Sequence, residues 1–470
     1  MDDPESAADQ NDGPPVSSSG LGFDVVDIAS DGDVLLDVTF ETSKETLKTA
    51  KKATKPRPGQ QVAPIILKSK FRLAYRVQLS VLKQQSKYFS NLLDDPRFSE
   101  ARLIAAAFDR LSLRNVTPSE AAAEDLPLVK IQDDDEATLS AGREAVFGDL
   151  LRILHGNAPV TKPVTMQYLA TLAVLADRFD CTKPVSKSLN ASLKFKWLPT
   201  QTRLSREEGE PCLTLAAEET LRQKILVSWL LDQPLKMHAA TREIIIFGSR
   251  KWAEFPDEEV EGCSSIWWNL PDDLEGELQY RRECILNAVA SVQGHFLRRY
   301  TSRTRQCRLG YDSSASCDSY QLGEMIKFFT SRNLLFLVDF SPGSLNNTVQ
   351  DYATVEINNL ISVLKQVPGY QIDKNHTNCG LRTLMVPIMD FIQAMLLTSA
   401  VSISSTDWRR SRDTISWISS EEPGERKEKV FRFTRSMASD QRLRHEGMMV
   451  GNRMAVSLFT ADRWDWAPEE

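Results

Sequence analysis

Apolar positions in the first 190 residues change their period several times, and each change marks an element. Asp33-Val-Leu-Leu-Asp-Val-Thr-Phe40 is dense in Val, Leu, Thr and Phe and predicts a strand. Pro64 to Leu67 and Lys70 to Leu73 predict two further short strands. From Arg76 the spacing lengthens: Leu79, Leu82 and the pair Tyr88/Phe89 recur at helical intervals until Asp94-Asp95-Pro96 breaks the run. Leu126 to Ile131 is strand-like and leads into an acidic turn, Asp133 to Glu136. Two amphipathic helices follow. Val146, Phe147, Leu150, Leu151 and Leu154 share a face of the first, and Gly156 stands where a helix can end in left-handed backbone. In the second, Pro163 is near the start and Met166, Leu169, Leu172, Ala176 and Phe179 form the apolar stripe.

Beyond about residue 190 the helical period dominates. Glu218 to Leu231 carries Leu221, Ile225 and Trp229 four residues apart, and Arg281 to Tyr300 carries Ile285, Val289, Val292 and Phe296. Met325 to Phe329, Val355 to Val367 and Leu384 to Ser399 extend a mainly helical second half, expected over residues 200–470. No repeat of fixed period is present, so a solenoid or propeller is unsupported. The most apolar stretch, Met385 to Ile403, contains Pro387, Asp390 and Gln393, so a buried helix is expected in place of a membrane span.

Composition narrows the class without naming a function. The chain of 470 residues, 41% hydrophobic and 26% charged, is long enough for two or three domains. A net charge of −7 disfavours a nucleic-acid binder. Seven scattered cysteines are no disulfide framework, and the acidic, Pro- and Ser-containing start is no signal peptide. A disordered tail over 1–21 and an intracellular location, cytoplasm or nucleus, are therefore expected. Residues 42–62, with Lys44, Lys48, Lys51, Lys52, Lys55 and Arg57, predict a mobile Lys-rich insertion. Phosphate-loop, nucleophile-elbow and metalloprotease templates are missing, so a non-enzymatic protein is expected.

The order of motifs over some 150 residues is more specific than any one of them. Gly32-Asp33-Val34, Phe71-Arg72-Leu73, Arg76 to Ser80 and Ser86-Lys-Tyr-Phe89 are followed by Phe98-Ser-Glu100, Leu150 to Gly156 and Leu172 to Phe179. This series resembles the BTB (POZ) domain, a protein-interaction module. The resemblance implies an α+β BTB/POZ fold over residues 22–190, a helical cluster capped by a short mixed sheet, followed by the helical second domain. It implies homo- or hetero-association, including a homodimer, and a charged pocket formed by Asp33 and Arg76. The family's usual Ala-His-Lys is Ala74-Tyr75-Arg76 here, so the pocket's chemistry is altered. The second half is similar to the tails of uncharacterised BTB-domain proteins of filamentous fungi, on the segments Cys307 to Ser319, Asn375 to Arg382 and Leu458 to Ala461.

Three constellations carry candidate chemistry. In BTB adaptors of cullin-type ubiquitin ligases an apolar-x-Glu motif docks the cullin, and Phe98 and Glu100 match it; the competing account packs Phe98 under the domain's own sheet and has Glu100 cap a following helix. Cys307, Cys317, His376 and Cys379 offer four zinc ligands, with His376-x-x-Cys379 at knuckle spacing; the competing account is three small buried thiols and a hydrogen-bonded imidazole. Arg298, Arg299, Arg303, Arg305 and Arg308 would serve a nuclear regulator touching nucleic acid, or simply a solvated face at a helix end.

Overall fold

The computed structural model describes residues 16–18, 24–53, 68–192, 213–253, 258–261, 263–334, 352–377, 379–418, 428–434, 436–437 and 448–467. The chain is α+β and divides into two units, one of residues 1–198 with 264–266 and one of 199–263 with 267–470. No helix among the described residues is long and apolar enough to cross a membrane.

The first unit is built on a five-stranded mixed sheet. Its strands are β1 (Val16–Ser18), β2 (Asp24–Asp27), β3 (Val34–Glu41), β4 (Lys70–Val77) and β5 (Leu128–Asp133), in the order β1-β2-β4-β3-β5. Strand β3, between β4 and β5, is buried along nearly its whole length, which is why its sequence is an almost unbroken apolar run. β5 lies at one end of the sheet and alternates buried with exposed positions, as a strand with one covered face must. Asp37 is buried at the middle of β3, and Arg72 sets both Nε and a terminal nitrogen on its carboxylate. The pair is diagonal: Asp37 faces Ala74 in the register, two residues from Arg72.

Helices cover both faces. α3 (Lys87–Asp94), α5 (Arg143–Leu154) and the end of α6 (Met166–Arg178) join an aromatic cluster, with α2 (Leu79–Gln85) and α7 (Thr182–Ser192) packed on them, while α4 (Ser99–Leu113) supplies Leu111 to a core with Val25, Leu35 and Ala74. The cluster runs from Phe71 and Phe40 through Phe147 to Phe179, then to Phe89 and Tyr88, with neighbouring centroids 5.2–5.9 Å apart. Gly156 takes φ +77°, and the bonds Gly156 N to Ile153 O (3.0 Å) and Asn157 N to Arg152 O (2.8 Å) close α5 in a Schellman motif.

Two expectations need correction here. Val16–Ser18, inside the expected tail over 1–21, pairs antiparallel with β2. Within the Lys-rich insertion 42–62, Lys44–Ala53 forms a helix, α1. Ser43 caps it: its hydroxyl accepts from Thr46 N (3.2 Å) and its own N–H donates to the buried Asp135 carboxylate (3.1 Å). That anchor lies 92 residues away and has no local sequence signature. The expected strand Pro64 to Leu67 lies outside the described residues.

The second unit is mainly helical: α8 (Leu215–Leu230), α9 (Pro234–Phe247), α10 (Glu258–Glu261), α11 (Leu274–Thr301), α12 (Ser314–Ser331), α13 (Ile357–Leu364), α14 (Leu381–Leu396), α15 (Ser405–Ile415) and α16 (Met448–Phe459). A two-stranded parallel ribbon joins β6 (Val430–Arg432) and β7 (Arg463–Asp465). The apolar stripe expected on α11 (Ile285, Val289, Val292 and Phe296) is buried in one large core with Ile225, Ile244, Met385, Ile388 and Trp466. The run from Met385 is a buried helix that tolerates Pro387 within it.

Candidate functional site

In the first unit, the candidate partner surface begins where α3 stops. Ser86 accepts from Phe89 N (3.1 Å) and donates to Phe179 O (2.6 Å), which fixes the start of α3 onto the end of α6. Phe89 and Leu93 are thereby buried, while Tyr88 keeps 39% of its surface in solvent. After the break, Phe98 is the residue preceding the first turn of α4 and is 43% exposed. It does not pack under the sheet. Glu100 lies in that first turn, accepts from the Ser99 hydroxyl (2.9 Å), and places a carboxylate at the positive end of the helix.

Asp33 and Arg76 are close in the fold but bond backbone instead of each other. Asp33 Oδ1 accepts from Leu79 N (2.7 Å) at the start of α2, while Arg76 donates to the carbonyls of Gly32 (2.9 Å), Ser119 and Ala121 (both 3.1 Å). Beside them His155 accepts from Gln78 N through Nε2 (3.0 Å), so its Nδ1–H donates to Leu151 O (2.8 Å). Burial then holds this imidazole below its ordinary value, in the neutral form its contacts require.

In the second unit, Cys307, Cys317 and Cys379 converge. Their sulfurs all lie within 4.8 Å of one another, and Cys307 Sγ is 3.8 Å from Cys379 Sγ. Three pieces of chain meet here. Cys317 is in the first turns of α12, and Asp318 beside it accepts from Gln306 N (2.7 Å) and Cys307 N (3.2 Å), folding the loop back over the helix. Gln321, fully buried one turn on, donates to Tyr370 O (2.9 Å) and accepts from Leu381 N (3.2 Å), clamping the segment that carries His376 and Cys379. The nine-residue gap between Cys307 and Cys317 is thus bridged by a loop and a helix start.

His376 borders the cluster. Its Nδ1 bonds Asp373 Oδ1 (2.8 Å), its Nε2 lies 3.2 Å from Ser314 Oγ, and the ring also hydrogen-bonds Cys307. Asp373 raises the imidazole's pKa. Burial pushes the Cys307 thiol up, but hydrogen bonds from Leu309 N–H, the Ser314 hydroxyl and the two neighbouring thiols outweigh it and hold it at about 7. Burial, then the charges of Cys307 and Cys379, push Cys317 up to about 12. Such a set of sulfurs resists ionising together unless a cation sits among them.

Of the arginine cluster, Arg298 and Arg299 occupy the last turn of α11, where the helix dipole favours cations, and Arg303, Arg305 and Arg308 follow it in solvent.

The sequence reading missed the buried charges of the second unit. Arg222, with no exposed surface, bonds Glu218 (3.0 Å), Glu275 (2.8 and 2.9 Å) and Ser249 (2.7 Å), and stacks over Trp268. Arg281 bonds Glu277 (2.7 Å) and the carbonyls of Ala400, Ser402 and Ile415. Their signal was a Glu-x-x-x-Arg step within apolar stripes. No protein-family model, curated protein or solved structure matches the chain.

Proposed function

We propose that the chain is a non-enzymatic protein-interaction protein, and that a BTB-type first unit docks a protein partner at the surface where α3 gives way to α4. One observation carries this reading: Phe98 stands 43% exposed at the start of α4, with the Glu100 carboxylate in the same turn. An apolar ring in solvent next to a fixed charge has the composition of a docking anchor and its selector. The BTB assignment is supported by the motif order and by a short mixed sheet with a helical cluster against it. Asp37, Asp133, Arg143 and Asp149, all buried in this unit, are occupied by structural partners.

Affinity capture of the full chain, wild type against the double variant Phe98→Ala with Glu100→Lys, tests the surface. Partners lost from the variant support it, and an identical partner set for both proteins refutes it. The same Phe98 exposure favours one narrower reading, an adaptor for a cullin-type ubiquitin ligase. A purified cullin N-terminal domain that binds wild type and not the variant would establish it. Light scattering of the two proteins shows whether self-association uses this surface.

A further inference from the structure

The three-cysteine cluster of the second unit is independent of the docking surface and has the dimensions of a metal site. A zinc ion with thiolate bonds of about 2.3 Å in a tetrahedron sets its sulfurs apart by about 1.6 times that length, or about 3.8 Å. Cys307 and Cys379 are separated by 3.8 Å, and all three sulfurs fit within 4.8 Å. A disulfide would need about 2 Å. Three thiols gathered within 4.8 Å of one another from a loop, a helix start and a second loop, one pair of them at the tetrahedral spacing, are hard to account for by packing alone.

Two further features point inward. The Asp373 carboxylate holds His376 by Nδ1, which leaves Nε2 on the side of Ser314 and Cys307. A carboxylate on the far nitrogen is the usual way a ligating imidazole is oriented. The Tyr300 hydroxyl, on a ring only 6% exposed, has no hydrogen-bond partner among the described residues. It is close enough to Cys317 and Cys379 to interact with their charges. Metal-bound thiolates are acceptors for such a donor.

We infer that Cys307, Cys317 and Cys379 bind one zinc ion that ties the loop before α12 and the segment before α14 to α12 itself, and that His376, whose ring lies outside the 4.8 Å shared by the three sulfurs, turns Nε2 from Ser314 to become the fourth ligand. Four protein ligands leave no open coordination position, so the ion is structural. Asp373 is a positioning residue. On loading, each thiol gives up its proton to solvent as its sulfur takes the metal.

The test uses the full chain, reduced, stripped with a chelator and reloaded with zinc alone or cobalt alone. One zinc per chain retained through dialysis, with Cys307, Cys317 and Cys379 protected from alkylation, is the expected result. Cobalt gives a tetrahedral spectrum with thiolate charge-transfer bands. His376→Gln keeps those bands and shifts the ligand-field ones, and Asp373→Asn weakens zinc binding about 10- to 100-fold. Protein that takes up no zinc after reduction, or that holds zinc equally well as Cys379→Ala, overturns the site. Unchanged ligand-field bands in His376→Gln overturn the fourth ligand. If the cysteine variants do not fold, the wild-type cobalt spectrum and alkylation pattern decide alone.

Discussion

Replacing Phe89 by Ala, and separately Phe98 by Ala, sets two phenylalanines nine residues apart against each other. Phe89 has no exposed surface and is stacked on Phe179 at 5.4 Å with nearly parallel planes, with Tyr88 edge-on at 5.3 Å. Removing a buried phenylalanine ring costs about 3–5 kcal/mol, of which each aromatic pair accounts for about 0.5–1.5 kcal/mol. A loss of about 4 kcal/mol multiplies opening of α3 and α6 by about a thousandfold. Phe98 is largely free of the core, so its truncation is expected within about 0.5 kcal/mol of wild type. Hydrogen exchange of the full chain, followed on peptides covering residues 79–94 and 166–179, reads both effects locally. Every tryptophan but Trp197 lies beyond residue 198, so indole fluorescence serves as a control that reports the second unit. A cost below about 1 kcal/mol for Phe89→Ala, or above about 1.5 kcal/mol for Phe98→Ala, would refute the division between core and surface.

Other changes have equally definite outcomes. Gly248 has φ +86° and a Cβ there would lie 1.8 Å from Ala353 O, so Gly248→Ala should lower the unfolding midpoint of the second unit sharply, by several kcal/mol, in urea titrations read by tryptophan fluorescence. Arg222→Met strands Glu218 in the core and should cost about 3–5 kcal/mol, whereas Glu218→Gln with Arg222→Met together should cost less than the single change, a difference visible in the same titration. Burial holds His155, His238 and His295 below their ordinary pKa, His295 at about 4, so the folded chain binds fewer protons than the unfolded one in acid. Stability should be intact above about pH 6.5 and fall progressively towards pH 4, although His376, raised by Asp373, contributes in the opposite sense; urea midpoints across this range would show it, and a rise on acidification would contradict the burial of these rings. Retention on DNA at physiological salt should be weak and unchanged by Arg298→Ala with Arg299→Ala.

Periodicity made visible those elements whose neighbours are close in sequence. β3, α5 with its glycine stop, and the stripe of α11 each state their own pattern. Helix α4 also has a pattern, Ile104, Ala107, Phe108 and Leu111, but its alanines dilute the contrast between its faces. α1 was hidden for a different reason. Its lysines look solvated, and they are; what holds the helix in place is Ser43 on Asp135, a contact no local window contains. The sulfur cluster was half legible. His376-x-x-Cys379 announces a turn, whereas the proximity of Cys307 to Cys317 depends on Asp318 and Gln321 folding chain onto α12. The exposure of Phe98 was open in the sequence, because the same aromatic can cap a core or leave it.

The positions at which the two cores are completed bear on how the chain emerges during synthesis. In the first unit β3 can pair with β4 once residue 77 is out, with β5 once residue 133 is out, and the aromatic cluster closes at Phe179. Each step adds to what is already formed, which suits vectorial, co-translational folding. In the second unit neighbouring helices such as α8 and α9 also pack on each other, but the core is finished only at the far end of the chain. Trp466, fully buried, donates to Ser291 Oγ (2.9 Å) and packs on Phe431 and Phe433. The part of α11 around Ser291, made 175 residues earlier, therefore gains its last cover only when that tryptophan arrives. During that interval the second unit, more than the first, needs a chaperone's cover.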